Sequence, residues 1–194
     1  MISGLVLAAG TSSRLGTPKQ LLDFRGQPLL QHVVDAACAA RLDEVVVVLG
    51  HEADRIEAAL RLPERARAVR NVDFAFGQAT SLRFGLEALD PRSEAVVILL
   101  GDQPHMAVGL IDSILDARGS SGAPVVRARY EGAPGHPVLV ARSEWAALGG
   151  VEGDRGARDL LEAMGGAVLD VDMGRPPLLD VDTWEQYRRL TGER

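Results

Sequence analysis

The chain reads as an α/β protein of three layers, with a mostly parallel mixed sheet that is Rossmann-like in its first half. Three observations predict this. Four short apolar runs rich in β-branched residues recur over residues 2–8, 45–49, 66–69 and 95–100. Between and after them, residues 28–40, 51–60, 78–89 and 108–118 carry apolar side chains at three- and four-residue spacing, as in Ile56, Ala59, Leu60 or Leu82, Leu86, Leu89. After residue 120 the pattern changes to short, turn-rich segments.

Each element has its own reason. Continuous apolar runs mark parallel strands covered on both faces, and the intervening spacing marks amphipathic helices. Repetition of strand, helix and strand implies right-handed crossovers. In the second part, residues 124–128 and 137–141 read as a strand pair around Tyr130–Gly135, and Ser143 as the cap of a short helix to 148. Gly149, Gly150 and Gly153 mark a loop. Residues 157–164 read as a helix ending at Gly165 and Gly166. Residues 168–171 and 178–181 read as strands. Thr183 then caps a last helix to about residue 190, with Glu185 in its first turn.

Composition narrows the function. A chain of 194 residues buries roughly 70% of its unfolded surface and needs no disulfide or structural metal. It is 46% hydrophobic and 25% charged, which excludes disordered and collagen-like classes. A net charge of −6 argues against binding nucleic acid through bulk electrostatics. Two Trp, two Tyr and four Phe are too few for single-strand stacking platforms. No apolar run reaches the length of a membrane span, and the N-terminus lacks the basic start of a signal peptide. The expected location is cytoplasmic, with no membrane partner. Cys38 lies in an apolar-periodic run and reads as a small core hydrophobe.

Four constellations bear chemistry. The first, Leu7-Ala8-Ala9-Gly10-Thr11-Ser12-Ser13-Arg14-Leu15-Gly16-Thr17-Pro18-Lys19, follows the first strand. Ligands of open parallel sheets bind at such strand ends. Small residues there let backbone N–H groups approach an anion, and Arg14 and Lys19 add two cations. Neither a Walker A loop nor a G-x-G-x-x-G fingerprint is present, so a nicotinamide oxidoreductase is disfavoured. The second, Gly101-Asp102-Gln103-Pro104, closes the 95–100 strand. Its carboxylate suits Mg²⁺, which prefers one or two carboxylates plus phosphate oxygens, although a turn-capping role for Asp102 is also open. In the third, Asp180 and Asp182 have strand spacing for one face, while Asp182 is also a candidate helix cap. The fourth is Gly135-His136-Pro137, a histidine opening a strand, for binding or for structure alone. Asn71, Gly77, Thr80 and Ser81 add a helix N-terminus suited to an anion, with Asn71 also readable as a turn residue. His32 and His51 read as helix-surface residues, and His105 adjoins the Asp102 loop.

The string Leu-Ala-Ala-Gly-x-Ser-x-Arg-x-Gly-x-Pro-Lys-x-Leu-Leu, with Gly-Asp-Gln-Pro, Gly-His-Pro and Asp-x-Asp-Thr following in order, resembles the NTP transferases of the nucleotide-diphospho-sugar transferase superfamily. The nearest branch is the molybdenum cofactor cytidylyltransferases and their molybdopterin-guanine dinucleotide synthase relatives. The resemblance runs from Leu7 to Thr183. It implies a nucleotidyltransferase fold whose residues 1–104 bind the nucleotide and 105–194 the acceptor, as one domain.

It implies that Leu7, Ala8, Ala9, Gly10, Thr11, Ser12, Ser13, Asn71, Ser81 and Gly101 border the nucleotide. Arg14 and Lys19 would hold its triphosphate, and Asp102 and Asp182 would hold Mg²⁺. Gln103, Pro104, His136, Asp154 and Arg158 would face the acceptor, with Asp154 also readable as a helix cap. The implied reaction transfers a nucleotide, CTP being favoured by Ala9, to a phosphorylated acceptor of the molybdopterin type. Alternatives are a cytidylyltransferase for a sugar or polyol phosphate and a non-catalytic accessory protein that binds nucleotide or cofactor for a molybdenum enzyme.

Overall fold

A computed structural model describes residues 1–149 and 168–192. The first strand, β1 (Ile2–Ala8), is followed by a small hairpin, β2 (Asp23–Phe24) and β3 (Gln27–Pro28), then α1 (Leu29–Ala39). Next come β4 (Glu44–Leu49), α2 (Ala53–Ala59), β5 (Ala66–Arg70), α3 (Gln78–Ala88), β6 (Ala95–Leu100) and α4 (Val108–Ser121). The second part holds β7 (Val125–Tyr130), β8 (Ala133–Ala141), α5 (Trp145–Gly149), β9 (Val168–Asp172) and, after a long coil, α6 (Trp184–Thr191).

Seven strands form one sheet in the order β5-β4-β1-β6-β8-β7-β9. β1 pairs in parallel with β4 and β6, and β4 with β5; β8 runs antiparallel between β6 and β7, and β9 is parallel to β7. All six residues of β4 are buried, and its side chains alternate between two cores. Val45, Val47 and Leu49 pack with α1 and α4, whereas Val46 and Val48 pack with α3 and α5. Four consecutive valines are therefore what a strand between two helical layers requires. The chain leaves β1 toward β4 and β5, then returns to β6 on the other side. This reversal opens a crevice at the carboxyl ends of β1 and β6, the place where such sheets bind ligands.

The apolar runs and helical spacings land within a few residues of their elements. Three expectations need correction. Helix α4 passes Arg118 and ends at Ser121, because Gly122 (φ 68°) supplies the left-handed turn after it. Ser143 does not cap α5; it sits in a 3₁₀ turn and its hydroxyl donates to Glu144. Residues 178–181 form no strand. Leu178 and Val181 are buried, but the segment packs as coil against the loop after β6, where the Val181 N–H donates to the Asp102 carbonyl (3.1 Å). The expected helix over 157–164, and with it Asp154 and Arg158, lies outside the described residues. The β2–β3 hairpin was not expected, its strands being only two residues long.

Candidate active site

The loop after β1 is shaped from within. Ser12 takes a left-handed conformation (φ 53°), and its carbonyl accepts the N–H groups of Leu15 and Gly16. Its hydroxyl accepts the Lys19 N–H (3.1 Å), which ties the two ends of the loop together. Gln20, 2% exposed, donates from one amide nitrogen to the carbonyls of Ala8 (2.7 Å) and Gly10 (3.2 Å). Two carbonyls of the loop are thereby turned inward. Gly101 must lack a side chain, because a Cβ there would stand 2.8 Å from that of Ala8. Its N–H donates to the Leu7 carbonyl (2.9 Å) and brings the second loop against the first.

These loops wall a cleft of about 340 Å³ lined by Leu7, Ala8, Ala9, Gly10, Thr11, Lys19, Gln20, Ser81, Gly101 and Asp102, together with Phe74, Ala75, Gly77 and Gln78. At its base Lys19 Nζ donates to Asp102 Oδ2 (2.5 Å) and to Asp182 Oδ1 (2.7 Å). The Lys19 and Asp102 side chains are 14% and 18% exposed, Asp182 41%. Burial alone would lower the Lys19 ammonium's pKa, but the two carboxylates outweigh it and hold it above its ordinary value. Arg14, largely exposed, reaches Asp182 at 3.7 Å from the rim.

Thr183 closes a capping box with Gln186, so Asp182 is not the cap of α6 and its carboxylate faces the site. Asp180 keeps an open edge and accepts from Gln103 Nε2 (2.7 Å). The protein crowded around its carboxyl pushes its pKa up; the charges of Asp102 and Asp182 add to the rise, and the Gln103 bond opposes it.

Asp102 Oδ1 is buried and makes no hydrogen bond. An orphaned carboxylate oxygen beside a second carboxylate fits a hard divalent cation that completes its shell with phosphate and water oxygens. Among the described residues no group of three or more His, Cys, Asp or Glu gathers, so the donor set suits a cation shared with substrate rather than a closed protein cage.

The remaining candidates fall elsewhere. Ser13 is exposed on the turn. Asn71 is buried and spends its amide hydrogens on Thr80 and Ser81 (3.1 Å each), while its Oδ1 accepts the Asp73 N–H, so it positions the start of α3. Gln103 and Pro104 are buried beneath the Asp102 loop. His136 stands at the carboxyl edge of β6, where its carbonyl accepts the Tyr130 hydroxyl (2.6 Å). Gln20 and Phe74 were missed. Gln20 carries no sequence signal, since a glutamine between Lys19 and Leu21 resembles any surface residue. An aromatic side chain in a polar loop was the available signal for Phe74. That ring divides the cleft from a second hollow of about 460 Å³ beside Gly50 and Arg70.

Residues 4–168 match the MobA-like NTP transferase domain. The chain belongs to that family. Among solved structures, Rv0371c from Mycobacterium tuberculosis is similar, with a TM-score of 0.88, 36% identity and coverage of 98% of this chain and 97% of that one. A manganese complex of the same mycobacterial protein aligns at a TM-score of 0.85 and 34% identity over 100% of this chain and 99% of that one. A nucleotidyl transferase from Methanothermobacter aligns at a TM-score of 0.83 and 27% identity, covering 99% and 96%. The bifunctional protein GlmU of Burkholderia thailandensis is 38% identical over 115 residues, 58% of this chain. The chain spans about a quarter of the length of the curated relatives it matches. The loop after β1, Lys19 and Asp102 lie within the matched residues, and Asp182 lies beyond them.

Proposed function

We propose that the protein transfers a nucleoside monophosphate from an NTP, CTP in the first instance, to a phosphorylated acceptor of the molybdopterin type, with release of pyrophosphate. The observation that carries this reading is Lys19 held between Asp102 and Asp182 at the base of the small-residue cleft. Ala8, Ala9 and Gly10 leave room for the base and ribose, and Ser81 lines the same cleft. An acceptor phosphate oxygen attacks the α-phosphorus in line, the bond from that phosphorus to the bridging oxygen breaks, and the pair of electrons leaves with pyrophosphate. A phosphate monoester is already ionised near neutrality, so no general base is needed. The protein's part is positioning and charge neutralisation.

Lys19 and Arg14 meet the negative charge that grows on the leaving group. Asp102 and Asp182 would hold Mg²⁺, which supplies Lewis-acid neutralisation of phosphate oxygens when bound. His136 and the 105–194 half of the chain are assigned to the acceptor. The protein acts in the cytoplasm, on small molecules, and hands its product to a molybdenum enzyme.

The test is pyrophosphate release with Mg²⁺, molybdenum cofactor and each of CTP, GTP, ATP and UTP. Release with CTP alone is expected. Release only with a sugar or polyol phosphate as acceptor moves the reading to that substrate class, and nucleotide binding without release from any acceptor moves it to an accessory carrier.

A further inference from the structure

Beside the Asp102 loop, three basic side chains gather on one aromatic ring. His32 lies 4.9 Å from the Phe24 ring centroid, His105 meets it edge-on at 5.5 Å, and the Arg25 guanidinium stands over it at 4.9 Å. His32 is spent on structure, since its ring nitrogens face the Phe24 carbonyl (2.6 Å) and Gln27. His105 and Arg25 are not: among the described residues neither makes a hydrogen bond or ion pair, and the same holds for Arg175. Other arginines of the chain do pair with carboxylates, as Arg41, Arg55, Arg67, Arg70, Arg92 and Arg127 do. The nearest carboxylate to Arg25 along the chain, Asp23, accepts the Gly26 N–H instead.

The turn that aims Arg25 is itself unusual. Arg25 (φ 54°) and Gly26 (φ 84°) both take left-handed conformations in a two-residue hairpin turn. Asn-Gly or Asp-Gly is preferred there, and a bulky residue at positive φ is disfavoured. Strain of this kind concentrates at ligand sites. His105 is also pushed below its ordinary pKa, by burial first and then by the charges of Arg25, Arg175 and His32.

We propose that Arg25 and His105 form a subsite for a second anionic group of the acceptor, separate from the phosphate that reacts. This rests on the reading of the Asp102 side as the acceptor's entrance. Asp102 and His105 are three positions apart in the chain, so their Cα atoms lie within roughly 11 Å of each other. The acceptor is therefore a phosphate monoester that carries a second negative group.

The experiment follows the His105 ring by NMR on the full chain while inorganic phosphate is titrated at constant ionic strength. An anion held by His105 favours its charged form, so its pKa rises, while the His51 ring stays still. In Arg25→Gln the response is expected to weaken at least about fivefold. An unmoved His105, or an equal response in that variant, overturns the proposal; an equal response at His51 identifies an adventitious ion only and overturns it as well. Where pyrophosphate release is observed, the same variant raises the acceptor KM by about fivefold and leaves the NTP KM alone. A phosphate response that persists when no acceptor supports release sinks the nucleotidyl-transfer reading and leaves the subsite standing.

Discussion

Two carboxylate clusters sit at opposite edges of the same sheet, and they differ in what they leave unpaired. At the amino edge Glu44, where β4 begins, is surrounded. Its Oε1 accepts the Ser3 hydroxyl and the Asp90 N–H (2.7 Å each), its Oε2 accepts Arg67 (2.6 Å), and Ser3 and Ser93 bond to each other. At the carboxyl edge Asp102 has one oxygen on Lys19 and one on nothing. Both clusters are charged, short-range and tied to β1 or the loop after it. The amino cluster is complete and can only hold strands together. The carboxyl cluster is incomplete and opens on a cleft, which is the physical difference between a staple and a site.

The largest expected effect comes from Asp102→Asn. It keeps the shape but removes the charge that Lys19 and a cation share, so pyrophosphate release should fall by about 10³-fold. Calorimetry should still find the NTP bound, and thermal melting should show a folded chain. Survival of full turnover would refute the assignment of the carboxyl cluster. Glu44→Gln should do the reverse. Stability drops by about 1–3 kcal/mol as charge-assisted bonds are lost, while turnover per folded molecule is unchanged; urea unfolding alongside a rate assay separates the two. Gln20→Leu lies between the edges. It frees the carbonyls of Ala8 and Gly10 and should raise the NTP KM by about tenfold, with a smaller loss of stability than at Glu44.

The smallest effect is the sign of the pH dependence. Burial would raise the Glu44 carboxyl's pKa, but the Asp90 N–H, Arg67 and Ser3 bonds outweigh it and hold it below the ordinary value. Its stabilisation is therefore present above the unfolded value of about 4.3 and lost as pH falls through the folded one. Asp180 is shifted upward, so its charged form is the one the fold disfavours. Its contribution improves as pH falls through its raised value toward the unfolded one. Unfolding curves across mildly acidic pH should flatten at the low end in Glu44→Gln. In Asp180→Asn they should lose the gain seen on first acidification. Equal curves for both variants would erase the contrast between the edges.

Much of the molecule was legible beforehand, and the reason is local. A strand buried on both faces needs an unbroken apolar run, and β1 and β6 occupy the expected residues while β4 adds only Glu44. The cleft loop was legible because small residues, Arg14 and Lys19 lie together in sequence. Residues 178–181 misled, since apolar side chains report burial and not pairing; Leu178 and Val181 are buried beside a loop instead of a strand. The Arg25 and His105 grouping was invisible for a related reason, being drawn from two separate segments around Phe24.

By itself the sequence determined the alternation of strands and helices, the capping of α6 by Thr183, and the family to which the loop after β1 belongs. Each depends on side chains within a turn or two of one another. Only the tertiary structure decided that Lys19 would stand between Asp102 and Asp182, residues 83 and 163 positions away. It also decided that Gln20 would turn inward and that Asp102 would keep an oxygen unpaired. Those outcomes depend on which strands become neighbours. The reversal of strand order at β1 sets that, bringing the ends of β1 and β6 together where distant charges meet out of bulk water.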